Sequence, residues 1–218
     1  MTNLQKRILT SFIVLPLSMF FIVKGGNYIV SFLYAVLILG NFEVFSVFKK
    51  KLSIIFLDVI LVLSLLSILF LRNDTVSSYV LLIWIIILTV SSDIGGYVFG
   101  KIFKGKKLTK ISPNKTISGV FGSFIFSLGT VFILGFIVDL ISGLGSDFFL
   151  KTRYFVLAIV FSLAAQIGDL TISYIKRLEN IKDTGKLLPG HGGIFDRIDG
   201  LMFVVLLAYI LYNFELFP

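Results

Sequence analysis

Seven long apolar runs divide this chain, and they restrict its fold more than any other feature. A run of about 20 apolar residues crosses a bilayer as a helix, because lipid leaves every backbone polar group to be satisfied within the segment. The predicted spans are Ile8–Val23, Asn27–Phe48, Leu52–Leu71, Tyr79–Phe99, Ile117–Ile141, Arg153–Tyr174 and Leu201–Phe217. Only 15% of the residues are charged, against roughly 25% in soluble domains. The sequence therefore predicts an all-α, polytopic integral membrane helical bundle with about seven transmembrane helices.

The distribution of basic residues predicts how this bundle is oriented. Of the 20 Lys and Arg residues, all but Lys24, Arg72, Lys151 and Arg153 fall on one side if the spans alternate. Because basic loops stay in the cytoplasm, we expect a cytoplasmic N-terminus and a location in the bacterial cytoplasmic (inner) membrane. The net charge of +8 then indicates contact with an anionic membrane surface rather than with nucleic acid.

We interpret the chain as a single membrane domain in two parts. Residues 1–90 form the N-terminal transmembrane helices, and residues 91–218 form a catalytic region with cytoplasmic loops at 101–116 and 176–200. The chain has no cysteine, which excludes disulfides and thiolate metal sites. The first apolar run has no small-residue cleavage site before Lys24, so we expect a retained span rather than a signal peptide.

Four acidic residues lie in or beside apolar runs: Glu43, Asp58, Asp93 and Asp169. An unpaired charge in such a position costs several kcal/mol, about 2.5 to 3.5 on insertion scales. All four fall toward the cytoplasmic ends of their predicted helices, which suggests a polar cavity that opens on that side. The alternative is that each carboxylate snorkels or pairs with a nearby lysine, as Glu43 could with the run that begins at Lys49.

Polar residues are concentrated between Gln166 and Gly200. If the sixth helix continues through Leu178, helical spacing places Gln166, Asp169, Ser173 and Lys176 on one stripe. The glycine-rich run at residues 189–193 contains the only histidine and would let the backbone approach a ligand closely. Such a stripe does not suit a lipid-facing helix, so we expect a functional site here.

The residue types at this site indicate metal-assisted chemistry on phosphates. Carboxylates without cysteine favour Mg²⁺, and two carboxylates from separate helices could hold one or two ions for in-line displacement at phosphorus. The segment from Ser112 to Gly119 offers hydroxyls, a lysine and a helix start, which can cradle a phosphate. These observations predict phosphoryl or nucleotidyl transfer at the cytoplasmic face, and the spacing does not name the substrates.

The segment from Ser173 to Asp199 also carries a longer pattern. It reads Ser-x-Ile-Lys-Arg-x4-Lys-Asp-x-Gly-x2-Leu-Pro-Gly-His-Gly-Gly-Ile-x-Asp-Arg-Ile-Asp. Three shorter motifs precede this pattern: Asp93…Gly96-Tyr97…Gly100, Ser112-Pro-Asn-Lys-Thr…Gly119 and Gln166-Ile-Gly-Asp-Leu. Together the motifs resemble those of the phosphatidate cytidylyltransferase (CDP-diacylglycerol synthase) family. The resemblance implies that CTP and phosphatidic acid give CDP-diacylglycerol and pyrophosphate, with Mg²⁺ required.

The resemblance also implies roles for individual residues. The implied catalytic residues are Asp169, Asp196, Lys176 and Arg197. The implied substrate-binding residues are Ser112, Lys115, Thr116, Ser173, Arg177, Lys182, Asp183, Gly190, His191, Gly192, Gly193 and Asp199. The implied metal ligands are Asp169 and Asp196, with Asp93 and Asp199 as further candidates. The expected cofactor is one or two divalent ions, and a monovalent ion could also bind. The expected partners are CTP, phosphatidic acid and the lipid bilayer. A homodimer with a second copy of the chain is a further option.

Two departures and two alternatives accompany this interpretation. Members commonly have Glu where this chain has Ile172, and often Ser where it has Gly200. Helical spacing puts Ile172 close to the face of Asp169, so we expect one acidic contact to be missing.

The alternatives are a CTP-dependent polyprenol or lipid-alcohol kinase, and a membrane ion transporter. Transport sites tend to lie near the bilayer midplane, whereas these acids lie toward one end of their helices.

Overall fold

The computed structural model describes residues 3–73, 75–109, 111–142, 151–185, 187, 190 and 192–216, and these residues form seven α-helices. The helices are α1 (Asn3–Lys24), α2 (Gly26–Val47), α3 (Lys51–Leu71), α4 (Val76–Phe103), α5 (Ile117–Ser142), α6 (Thr152–Leu178) and α7 (Phe195–Asn213). Among the same residues the sole β-type pairing is an isolated bridge between Lys107 and Thr116. The all-α prediction is confirmed.

Five of the described helices, α2 to α6, are long and apolar enough to cross a membrane. The apolar helix at Phe12–Lys24 is shorter, and α7 begins with charged residues at Asp196, Arg197 and Asp199. Large apolar side chains point outward, as at Phe136, which is 69% exposed. An outward-facing apolar surface on several long helices is what a polytopic membrane protein requires.

The two helices that border the last loop, α6 and α7, are both longer at that loop than predicted. α6 continues to Leu178 and α7 begins at Phe195, so the loop that we placed at residues 176–200 runs from 179 to 194. The reason is that Lys176 and Asp196 project from helical turns and pair with each other, so that both helices continue beyond their apolar portions.

Close helix crossings at glycine bring the site helices together. A Cβ on Gly168 of α6 would overlap the carbonyl oxygen of Asp199 in α7, and one on Gly200 would press on the backbone of Ala165. α4 and α5 cross in the same way, with the carbonyl oxygen of Gly96 against Gly119, as small residues at a helix crossing permit. Where two backbones approach this closely, the side chains next to the crossing on one helix lie near the other helix.

Hydrogen bonds show which helix ends lie together. The backbone N–H groups of Lys49 and Lys50 donate to the carboxylate of Glu179 at 3.2 and 3.1 Å, which joins the α2–α3 turn to the end of α6. At the other end, Arg72 donates from Nε to the carbonyl oxygen of Ile22 at 2.7 Å. We name the end that contains the turns at 48–50, 104–116 and 179–194 the basic end.

Candidate active site

Asp169 joins α6 to the start of α5 at the basic end. Its Oδ2 lies 2.5 Å from Nζ of Lys115, and its Oδ1 accepts a hydrogen bond from the hydroxyl of Ser173 at 3.1 Å. The predicted stripe on α6 is therefore present, with one difference. Gln166 donates to Ser162 at 3.4 Å rather than to the carboxylate.

Lys176 and Asp196 form a second, more buried ion pair. Nζ of Lys176 lies 2.8 Å from Oδ1 of Asp196, and the two side chains are only 10% and 7% exposed. Oδ2 of Asp196 accepts the backbone N–H groups of Thr184 at 2.9 Å and Gly193 at 3.0 Å. Burial raises the pKa of Asp196, but the hydrogen bond from Lys176 and those from the two backbone groups outweigh it and hold the pKa below its usual value.

Glu43 of α2 reaches the same turn from the other side. Its Oε1 accepts the N–H of Ile194 at 3.0 Å, and its Oε2 accepts the N–H of Phe195 at 3.1 Å and the hydroxyl of Thr184 at 3.3 Å. Of the described lysines, none forms an ion pair with Glu43, so the alternative in which it pairs with the lysines after residue 48 is wrong. Sequence reasoning grouped Glu43 with the other embedded acids around a polar cavity but did not identify the turn before α7 as its partner.

Asp93 and Asp199 complete a group of carboxyls contributed by three helices. The carboxyl of Asp93 interacts electrostatically with Asp169, and so does that of Asp199. Across the described residues, no group of three or more His, Asp or Glu side chains surrounds one point closely enough to hold a metal ion. Mg²⁺ commonly binds through one or two carboxylates plus waters and substrate phosphates. The donors present fit such an ion.

The loop before α5 has a compact structure of its own. Leu108 N–H donates to the carbonyl of Lys115 at 2.8 Å, and Ile117 N–H donates to that of Lys106 at 2.9 Å. The Thr116 hydroxyl accepts the N–H of Gly119 at 3.1 Å, so Thr116 caps α5. The backbone N–H of Ser112 donates to Thr109 at 3.2 Å. Of the predicted phosphate cradle, Lys115 is the residue that reaches the α6 carboxylate.

The remaining predicted residues line the edge of the site or belong to its backbone. Arg177 donates to the carbonyl of Ile181 at 2.9 Å, and Arg197 is exposed on α7. Lys182 and Asp183 line a cleft of about 590 Å³ beside Glu43. Gly190 and Gly192 have φ values of 80° and 87°, which favour glycine. His191 lies outside the described residues.

Ile172 packs in the apolar interior. Its side chain is 0% exposed and belongs to an apolar cluster that includes Leu57, Phe195 and Met202. The helical angle between residues 169 and 172 places the two side chains near each other on a projection, but the packing of α6 against α7 directs Ile172 inward. The expected loss of an acidic contact beside Asp169 stays a prediction.

Comparison with known proteins agrees with this arrangement. The model of the cytidylyltransferase family matches residues 49–215. The chain is 36% identical over 148 residues to a phosphatidate cytidylyltransferase of Brucella suis biovar 1 (strain 1330), which covers 67% of this chain and 52% of that protein.

Two further relatives bear the same name. The enzyme of Helicobacter pylori (strain ATCC 700392 / 26695) is 37% identical over 63% of this chain and 49% of its own length. That of Staphylococcus epidermidis (strain ATCC 12228 / FDA PCI 1200) is 40% identical over 60% of this chain and 46% of its own length. The chain spans about half the length of these curated relatives. Because the family model covers most of the sequence, including both ion pairs, the chain belongs to the cytidylyltransferase family.

Proposed function

We propose that this chain transfers CMP from CTP to phosphatidic acid, giving CDP-diacylglycerol and pyrophosphate for phospholipid synthesis. The observation that carries this proposal is the pair of cation–carboxylate contacts at the basic end, Lys115 with Asp169 and Lys176 with Asp196. They gather two ammonium groups from separate segments, and ammonium groups bind polyphosphates. The names of the similar proteins support the same lipid acceptor.

The proposed reaction is an in-line displacement at phosphorus. A phosphate oxygen of phosphatidic acid attacks the α-phosphorus of CTP, the bond from that phosphorus to the bridging oxygen breaks, and pyrophosphate leaves with the electron pair. Because the attacking oxygen is already an oxyanion, the step needs no strong general base. Lys115, Lys176 and the exposed Arg197 would position the phosphates and stabilise the charge that develops on the leaving group.

We propose that Mg²⁺ assists through Asp169 and Asp196, with Asp93 and Asp199 as further candidate ligands. A carboxylate has about four lone-pair sites, and Asp196 uses three of them in hydrogen bonds within the protein, so that about one remains to bind an ion. When bound, the ion would neutralise triphosphate charge. A direct check is to measure Mn²⁺ binding as a Mg²⁺ probe by electron paramagnetic resonance, where Asp169→Asn should weaken binding by at least tenfold.

We also propose that the basic end faces the cytoplasm of a bacterial cell. The support is the excess of lysine and arginine on this side of the predicted bundle. CTP is available in that compartment, and a lipid phosphate in the cytoplasmic leaflet can reach the site laterally. Both proposed substrates would then meet at the ends of the same helices.

The decisive experiment identifies the products. Purified protein in liposomes, given phosphatidic acid, labelled CTP and Mg²⁺, should release pyrophosphate and form a labelled CDP-lipid. Asp169→Asn and Asp196→Asn should each lower kcat/KM by at least 100-fold, since each removes charge that organises a cation. Asp58→Asn is the matched control, because Asp58 is an embedded acid that forms no ion pair among the described residues.

Other products would point to the alternatives. Formation of CDP and a phosphorylated lipid alcohol, supplied as the acceptor, would indicate a lipid kinase and overturn the proposed transfer. Full activity in both carboxamide variants would overturn the roles given to the two aspartates.

A further inference from the structure

Glu43 is a buried acid that the proposed reaction does not use. It lies on α2, before the segment that the family model matches, and it is 1% exposed. A carboxylate in such a place is costly unless hydrogen bonds satisfy it. Three bonds do so here, and all three come from the turn that precedes α7 and its first residues.

The contacts of Glu43 match what the start of a helix lacks. The first N–H groups of a helix have no partner within it, and the helix dipole favours negative charge at that end. Glu43 accepts the N–H groups of Ile194 and Phe195, and Asp196 accepts that of Gly193. Two carboxylates from different helices therefore hold three successive N–H groups at the start of α7.

Thr184 connects the two carboxylates. It is fully buried, its N–H donates to Asp196 at 2.9 Å and its hydroxyl donates to Glu43 at 3.3 Å. The carboxylate of Glu43 lies so close to the turn that positions 185 and 193 have no space for a side chain. A Cβ on either Gly185 or Gly193 would overlap this carboxylate. A continuous chain of contacts thus runs from Glu43 through Thr184 to Asp196, and from there to Lys176.

We propose that Glu43 is a positioning residue for cytidylyl transfer. It fixes the turn at Thr184 and the start of α7, so that Asp196 holds Lys176 where that ammonium meets the phosphates of CTP. This inference rests on the proposed function for its catalytic consequence. Its structural part, the anchoring of the turn by a carboxylate of α2, stands on the contacts themselves.

Hydrogen exchange tests the anchoring without any assay of activity. In protein reconstituted into nanodiscs, Glu43→Ala should speed amide exchange in peptides that cover residues 192–196, because the carboxylate is the hydrogen-bond acceptor for Ile194 and Phe195. Peptides from the buried part of α7, around Val204 and Val205, should keep their protection. Unchanged exchange at residues 192–196 would overturn the proposal even if the protein proves inactive on CTP.

Kinetics test the consequence for the site. We expect Glu43→Ala to raise the KM for CTP and to lower kcat/KM by about 10- to 100-fold, as small displacements of catalytic groups do. For Glu43→Gln, the KM for CTP and kcat/KM should lie between those of the unmodified protein and of Glu43→Ala. The reason is that the single carbonyl oxygen of glutamine can replace only part of the carboxylate. Glu43→Gln also serves as the test variant if the alanine protein does not fold.

A matched control separates positioning from loss of folded protein. Leu33→Ala truncates another buried side chain of α2, in the apolar cluster, and should lower thermal stability while leaving the KM for CTP unchanged. A smaller folded population lowers the maximal rate alone. An unchanged KM for CTP in both Glu43 variants would therefore overturn the positioning role. Absence of CTP turnover in the unmodified protein would count against the proposed function, and hydrogen exchange would still decide on the anchoring.

Discussion

The side chain of Ile172 lies one helical turn before Lys176, yet the two side chains have different surroundings. Lys176 reaches Asp196, whereas Ile172 belongs to a buried apolar cluster that includes Leu57 of α3 and Met202 of α7. A carboxylate at position 172 would lose its hydration, and the nearest cation, Lys176 one turn further on, is already paired with Asp196. The apolar residue therefore suits this particular packing.

We expect Ile172→Glu to destabilise the protein by about 3–5 kcal/mol, the usual cost of a buried charge without a partner. Ile172→Leu, which nearly conserves volume, should cost less than about 1.5 kcal/mol. Thermal unfolding in detergent compares the two variants. A glutamate variant as stable as the original protein and more active would show that position 172 belongs to the catalytic site.

Single residues also show what the sequence could and could not predict at the site. Asp169 and Lys176 were predictable, because helical spacing puts them on one stripe and the motif continues to Asp196. The role of Glu43 was not, since its partner Thr184 is 141 residues away in the chain. Nothing local to α2 indicates which distant turn will meet its carboxylate. His191 and the roles assigned to individual substrate-binding residues stay predictions.

At the scale of elements, the crossing of α6 and α7 determines the spacing of the acidic side chains. Gly168 immediately precedes Asp169, and a Cβ on it would lie 2.8 Å from the carbonyl oxygen of Asp199 and 2.7 Å from the ring of Phe203. The absence of a side chain at this point lets the two helices approach. Any added volume must move α7 away from α6.

We therefore expect Gly168→Ala to lower stability by about 1–3 kcal/mol, as overpacking does, and to reduce activity by separating the acidic side chains. Gly129→Ala on α5 is a suitable control, because a Cβ there meets nothing within 4 Å and alanine is the better helix former by up to about 1 kcal/mol. Melting temperatures of both variants in the same detergent check this. Equal stability of the two would contradict the close crossing.

Helix positions followed well from apolar runs, and helix ends followed less well. The predicted sixth span ended at Tyr174, but the stripe through Lys176 already indicated a longer helix, and α6 does end at Leu178. The start of α7 was less predictable, because Asp196 and Arg197 interrupt the apolar pattern. Its first turn is held by tertiary hydrogen bonds, which hydropathy does not report.

At the scale of the whole molecule, the turns of the described chain separate by charge. The turns at the basic end carry most of the lysines, while the opposite end has few basic side chains, one of which, Arg72, bonds to backbone carbonyls of α1. The charge asymmetry and the alternation of helices were both readable from the sequence. The tertiary contacts that pair particular turns were not.

The absence of cysteine makes the proposed orientation straightforward to test. Asn114 and Asn27 are both exposed, and they lie at the basic end and the opposite end, respectively. We expect a membrane-impermeant maleimide to label Asn27→Cys in intact bacterial spheroplasts and to label Asn114→Cys only after permeabilisation, since basic loops stay inside. The reverse pattern would contradict the orientation.

The contact between α2 and the start of α7 has a consequence for modularity. The residues that match the family model begin after Glu43, so a chimera that exchanges the first two helices for those of a relative would keep the whole matched segment. Such a chimera would keep the contact with the N–H groups of Ile194 and Phe195 only if its new second helix supplies a carboxylate at the position of Glu43. The N-terminal helices therefore contribute to the structure of the site, and a chimera between family members has to preserve the contact that α2 makes with the start of α7.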